Sequence, residues 1–217
     1  MEASTEARES SRVRARILMF AGFRLAIVTV VVSAIVATFF DTASRASINP
    51  FNFFGYFTMQ SNIIAVVILL LAVLATFRSR PQTSVLMLAR ACGTTYIVIV
   101  GIVYNTLLAG LEGGVSLDWA NWVLHVFFPI YAASDWILFG DRTPVPWTRF
   151  WTVFIYPFIW SLVVLVRGAT DGWVPYPFLD PSQGYAIVAL YAVGIFASVA
   201  IVAALVWLFS RLQIIKP

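Results

Sequence analysis

Six stretches of the chain, 17–40, 57–77, 91–109, 122–139, 150–166 and 186–209, are apolar and long enough to cross a lipid bilayer. A hydrocarbon core of about 30 Å takes roughly 20 helical residues. Inside it every backbone N–H and C=O must find its partner within the chain, and an α-helix meets that demand locally. The fold class expected is therefore all-α, a polytopic membrane bundle of six transmembrane helices. Residues 1–16 read as a cytoplasmic polar tail, 17–209 as the membrane domain and 210–217 as a second cytoplasmic tail. The first run exceeds the roughly 7–15 apolar residues of a cleavable signal, so it reads as a retained span. Pro157 falls inside the fifth run, where a lost helix hydrogen bond predicts a kink.

Composition removes several alternatives. Of 217 residues, 61% are hydrophobic and 11% charged, against about 25% charged in soluble domains. A soluble domain of this size has too little interior to hide so much apolar surface. The net charge of +4 is dispersed in short clusters between apolar runs, with no continuous basic face, so no nucleic-acid partner is expected. One cysteine, Cys92, and one histidine, His125, do not make a metal-ligand set, and neither a metal nor a cofactor is expected. Gly113-Gly114 lacks the flanking pattern of a phosphate loop, and no Gly-x-Ser-x-Gly elbow is present.

Basic residues set the expected orientation. With the N-terminus inside, Arg8, Arg12, Arg14, Arg16, Arg78, Arg80, Arg90, Arg142, Arg149, Arg211 and Lys216 all fall on the cytoplasmic side. Only Arg45 and Arg167 fall outside, and Arg24 lies within the first span. That asymmetry is the positive-inside signature. Trp119, Trp122, Trp173 and Tyr176 then read as outer-interface anchors, and Trp147, Trp151 and Trp207 as inner ones.

Polar residues within the spans carry the functional information, because ionisable groups in hydrocarbon are costly and tend to face a cavity or the bundle interior. Arg24, His125 and Asp135 qualify, joined by Gln60, Ser61, Asn62 and Asn105. At roughly 1.5 Å per residue, Thr58, Asn62, Asn105 and His125 converge on one layer in the outer half of the membrane. Thr58 and Asn62 share a helix face through their i,i+4 spacing, as do Asn121 and His125. Arg24 and Asp135 lie in a deeper layer and are expected to form a buried ion pair, either fixing helix register or relaying protons. Structural roles stay open for the outer layer too. A threonine in a membrane helix commonly bonds its own upstream carbonyl, and asparagine often joins neighbouring helices.

Two motifs add a resemblance. Tyr56-Phe57-Thr58-Met59-Gln60-Ser61-Asn62 opens the second span, and His125-Val126-Phe127-Phe128-Pro129 opens the fourth, with Asp135-Trp136 further along. Together with six spans, they resemble the bacterial membrane family known as Pr-six-Pr, itself similar to the eukaryotic androgen-induced and androgen-dependent membrane proteins. Those relatives are intramembrane threonine hydrolases of fatty acid esters of hydroxy fatty acids. The resemblance implies a multi-pass protein of the bacterial cell membrane and a lipid substrate. It matches Thr58 to the nucleophile and His125 to the catalytic histidine, which would act as a base within hydrogen-bond reach. Asn62 and Asn105, with Gln60 and Ser61 nearby, are the candidates for oxyanion or substrate binding. A membrane protein that binds or moves a small lipophilic ligand is the alternative.

Overall fold

The computed structural model describes residues 2–78, 80–111, 117–139, 141–212 and 214–215, with the backbone alone for 2–10 and 12. Gly113-Gly114, Lys216 and the side chains of Arg8 and Arg12 lie outside the described residues. Among the described residues eight α-helices follow in order: α1 (Glu2–Arg45), α2 (Pro50–Phe53), α3 (Phe57–Phe77), α4 (Ser84–Val103), α5 (Asp118–Trp122), α6 (Phe128–Leu138), α7 (Ile155–Thr170) and α8 (Tyr185–Phe209). A π-helical segment, Tyr104–Leu108, extends α4, and another, Val123–Phe127, joins α5 to α6 without a break. A 3₁₀ segment, Trp147–Phe154, leads into α7.

Among the described residues, five helices are long and apolar enough to cross a membrane: Val13–Arg45, Phe57–Phe77, Ser84–Leu108, Trp147–Thr170 and Tyr185–Phe209. The remaining candidate lies in the helical stretch 118–138, where Asn121, His125, Pro129 and Asp135 dilute the apolar character. It packs against α1 and α4, so its polar groups face protein. Large apolar side chains cover the outside of the molecule, Phe158 at 61% and Leu190 at 72% exposure among them. Water would penalise such a surface and hydrocarbon would not, which marks an integral membrane protein.

α4 lies at the centre, packed against α3, α6 and α8, and joins two apolar clusters. One gathers α1, α3 and the α5–α6 stretch around Val31, Ile97 and Leu124. The other gathers α8 and the 3₁₀ segment around Tyr96, Trp136, Val199 and Trp207. Small residues allow the close approach that membrane helices need in place of a hydrophobic driving force. A Cβ added at Gly101 would stand 2.7 Å from Pro129 Cβ and 3.4 Å from the His125 carbonyl. Gly101→Val is therefore expected to push α4 away from α6 and destabilise the fold by about 1–3 kcal/mol. Thermal unfolding in detergent would measure it, and an unchanged midpoint would contradict the close packing described.

Two local details add to the expected spans. Pro157 is the third residue of α7, and the helix is continuous with the 3₁₀ segment before it, from Trp147 to Thr170. The carbonyl four residues upstream, that of Val153, accepts the Tyr96 hydroxyl at 3.1 Å, so the lost helix bond coincides with a change of helix type and a partner from α4. The third span also starts earlier than residue 91. α4 begins at Ser84, and Thr83 caps it by accepting the Leu86 N–H at 3.2 Å. Arg90, expected as a flanking charge, is thus buried within the helix.

Candidate functional site

Pro129 shapes the surroundings of His125. Having no N–H, it cannot bond the carbonyl four residues upstream, which belongs to His125. The helix answers with the π-helical segment, in which the Phe128 N–H reaches back to Val123 O. The His125 carbonyl receives Asn105 Nδ2 instead at 3.1 Å, and the same amide donates to Gly101 O at 2.8 Å. Asn105 therefore ties the two π-helical segments together, and such segments are often found at functional sites. His125 itself is buried. Its Nδ1 lies 3.0 Å from the Asn121 carbonyl, which can only accept, so Nδ1 carries the proton and Nε2 keeps its lone pair. The Tyr104 ring stacks on the imidazole with centroids 3.9 Å apart, and the Tyr104 hydroxyl receives Asn121 Nδ2.

Thr58 lacks the bond that several other helix threonines make. Thr38, Thr76 and Thr95 each donate to the carbonyl four residues upstream. Thr58 is the second residue of α3, and the preceding Tyr56 is extended, so no upstream helical carbonyl stands beneath it. Its Oγ1 lies 3.4 Å from the Tyr176 hydroxyl, and its N–H donates to the same oxygen at 3.3 Å. Asn62 Nδ2 donates to the Thr58 carbonyl at 2.8 Å, while Asn62 Oδ1 is buried without a partner.

The Thr58 end of α3 opens on a cavity of about 510 Å³ between α4, α7 and α8. Along α8 its wall runs from Tyr185 to Val199, roughly 21 Å at 1.5 Å per residue. Apolar groups such as Ile99, Pro157 and Phe196 line it further along. Thr58 and Tyr176 supply hydroxyls at the near end. A largely apolar cavity with a few convergent polar groups is the usual form of a small-molecule site. Tyr104 lines the cavity as well as stacking on His125, so the imidazole is one ring removed from the wall.

The predicted residues thus fall into two hydrogen-bonded groups. Thr58 and Asn62 belong with Tyr176, and His125 and Asn105 belong with Tyr104 and Asn121. No hydrogen bond joins Thr58 to His125 among the described residues. Gln60 Oε1 accepts from the Tyr156 hydroxyl at 3.3 Å, and Ser61 is fully buried. Sequence spacing gave no sign of Tyr104 or Tyr176 at the site, since Tyr176 reads as an interface anchor and comes 118 residues after Thr58.

At the opposite end of the bundle, Arg24 Nε donates to Asp135 Oδ1 at 2.7 Å. The pair belongs to a larger, charge-balanced network. Arg24 Nη2 also reaches Asp141 Oδ1 at 3.0 Å, Arg90 Nη2 reaches Asp135 Oδ2 at 3.1 Å, and Gln82 bridges Arg90 and Asp141. Asp141 follows α6 in a connecting segment. Burial pushes its carboxyl up, but Arg90, Arg24 and Gln82 outweigh that and hold it well below the usual carboxylate range. A depressed folded-state value means that the stabilisation is complete above the unfolded-state value, about pH 4, and is lost as the pH falls further. Thermal unfolding in detergent is expected to show this acid loss, and Asp141→Asn should remove most of it. An unaltered pH profile in that variant would assign the acid sensitivity elsewhere.

No protein-family model, no curated protein and no solved structure matches the chain.

Proposed function

We propose that the chain is an intramembrane hydrolase of fatty acyl esters, with Thr58 as nucleophile and His125 as base. In this reading it crosses the bacterial cell membrane six times with both termini in the cytoplasm. It belongs beside the Pr-six-Pr proteins that its motifs resemble. One observation carries the activity: the Thr58 hydroxyl lines a long, largely apolar cavity, without the upstream carbonyl bond that Thr38, Thr76 and Thr95 make. The basic-residue asymmetry supports the orientation. The hydrogen bond from Arg142 Nη2 to the Phe209 carbonyl ties the connection after α6 to the end of α8, so in this reading both lie on one side of the membrane.

The acyl chain lies along α8, with its ester beside Thr58 near the outer headgroup level. Thr58 Oγ bonds to the carbonyl carbon as its proton passes to His125 Nε2, directly once the Tyr104 ring turns aside or through a bridging water. Collapse of the tetrahedral adduct breaks the ester C–O bond, and the departing alkoxide takes the proton from His125. Water then hydrolyses the acyl-threonine with the same base, releasing the fatty acid.

The test is ester turnover by the purified protein in nanodiscs over a panel of lipid esters, with a fluorophosphonate probe in parallel. Released fatty acid and a labelled peptide containing Thr58 are expected. The second reading is a binding protein for a lipophilic ligand, favoured by the missing Thr58–His125 hydrogen bond. Saturable binding of the esters without product would establish it in place of the hydrolase.

A further inference from the structure

We propose that Tyr176 donates the hydrogen bond that receives the oxyanion formed when Thr58 attacks an ester, an inference that rests on the hydrolase reading. An ester carbonyl gains negative charge at its oxygen as it becomes tetrahedral, and a preorganised donor there is worth more than one recruited during the reaction. Of the amides that the sequence offers for this task, Asn105 Nδ2 gives both its N–H groups to backbone carbonyls, and Asn62 Nδ2 gives one to the Thr58 carbonyl.

The Tyr176 hydroxyl is different. Its oxygen accepts the Thr58 N–H, one of the first-turn donors that a helix leaves without an internal partner. Tyr56, at the helix boundary, provides no side-chain cap. With one lone pair engaged, the phenol still has its O–H to give, and Thr58 Oγ1 lies 3.4 Å away. Once Oγ has bonded to a carbonyl carbon, the oxyanion on that carbon is two bonds from Oγ and within reach of the same O–H. Burial pushes the Tyr176 phenol up to about 12, so at neutral pH it is a neutral donor.

The ring is held for this task by its neighbours. Phe178 stacks on it at 5.2 Å and Tyr56 meets it edge-on at 5.7 Å. Tyr176 and Phe178 are buried, and Tyr56 is exposed. The segment carrying Tyr176 also contributes Phe178 and Leu179 to the cavity wall, so one connection between α7 and α8 both covers the chain site and supplies the donor.

Tyr176→Phe keeps the ring and removes the O–H. In the full-length protein in nanodiscs, kcat is expected to fall about 10²–10³-fold, the usual loss for one oxyanion donor. KM and the affinity for a non-hydrolysable ether analogue of the substrate should stay as in the wild type. A helix cap alone would lower the unfolding temperature without that kcat-against-KM split. Wild-type kcat in Tyr176→Phe overturns the inference, as does loss of ether-lipid binding in step with kcat, which would mean disturbed packing. If Thr58→Ala is inactive while Tyr176→Phe is fully active, only the role of Tyr176 falls. A wild type without turnover removes the hydrolase reading and this inference with it.

Discussion

Asp135→Ala is expected to destabilise the fold by about 3–5 kcal/mol, the usual effect of removing one member of a buried ion pair. Asp135 receives Arg24 Nε and Nη2 and Arg90 Nη2, and the Tyr131 hydroxyl donates to it at 3.3 Å. Its loss leaves two almost fully buried guanidinium groups, on α1 and α4, sharing Asp141 alone. The cost comes chiefly from that uncompensated charge and less from the bonds themselves. Adding Arg24→Met to Asp135→Ala should therefore recover part of the lost stability, because the second change removes a stranded charge. Equilibrium unfolding in mild detergent measures both. An Asp135→Ala effect below about 1 kcal/mol would show that water reaches the network and that its members are not isolated from solvent.

Thr58→Ala is expected to abolish both ester turnover and fluorophosphonate labelling, since no neighbouring hydroxyl can replace it on the same helix face. Ser61 is the nearest alternative on α3, but three residues at 100° each place it well off the Thr58 direction. Thr58→Ser keeps the hydroxyl and should retain measurable turnover. His125→Ala should lower kcat about 10²–10⁴-fold, the range for a positioned general base, while the chain site continues to bind ether lipid. These effects differ from a folding defect because neither side chain carries charge balance or a large part of the core. Full activity in Thr58→Ala would eliminate the threonine mechanism. Full activity in His125→Ala would leave the threonine and require another base.

Much of the architecture was legible because membrane helices satisfy their backbone locally. The run 57–77 coincides with α3, and the run 186–209 lies one residue inside the start of α8. Charge placement was harder to read. Arg90 and Asp141 look like solvated ends of spans, yet both are drawn into the Arg24–Asp135 network, because helix ends from distant parts of the chain meet there. Pro157 and Pro129 make the same point. Proline removes an N–H in both, and a side chain from another helix meets the carbonyl four residues upstream: Tyr96 at Val153 before Pro157, and Asn105 at His125 before Pro129. At Pro129 the helix continues, and a π-helical segment with Asn105 takes up the freed carbonyl.

The sequence by itself determined an all-helical chain whose apolar runs belong in a bilayer, along with the short list of polar side chains too costly to bury without a role. Hydropathy and period are local properties, and the bilayer's demand for internally bonded backbone leaves few ways to satisfy them. Tertiary structure alone decided the partners: Tyr176 beside Thr58, Tyr104 over His125, and four charges where spacing predicted two. Hydrogen bonds and ring contacts across helices depend on rotation, depth and crossing angle to within an ångström or so, and hydropathy and residue spacing do not resolve those quantities.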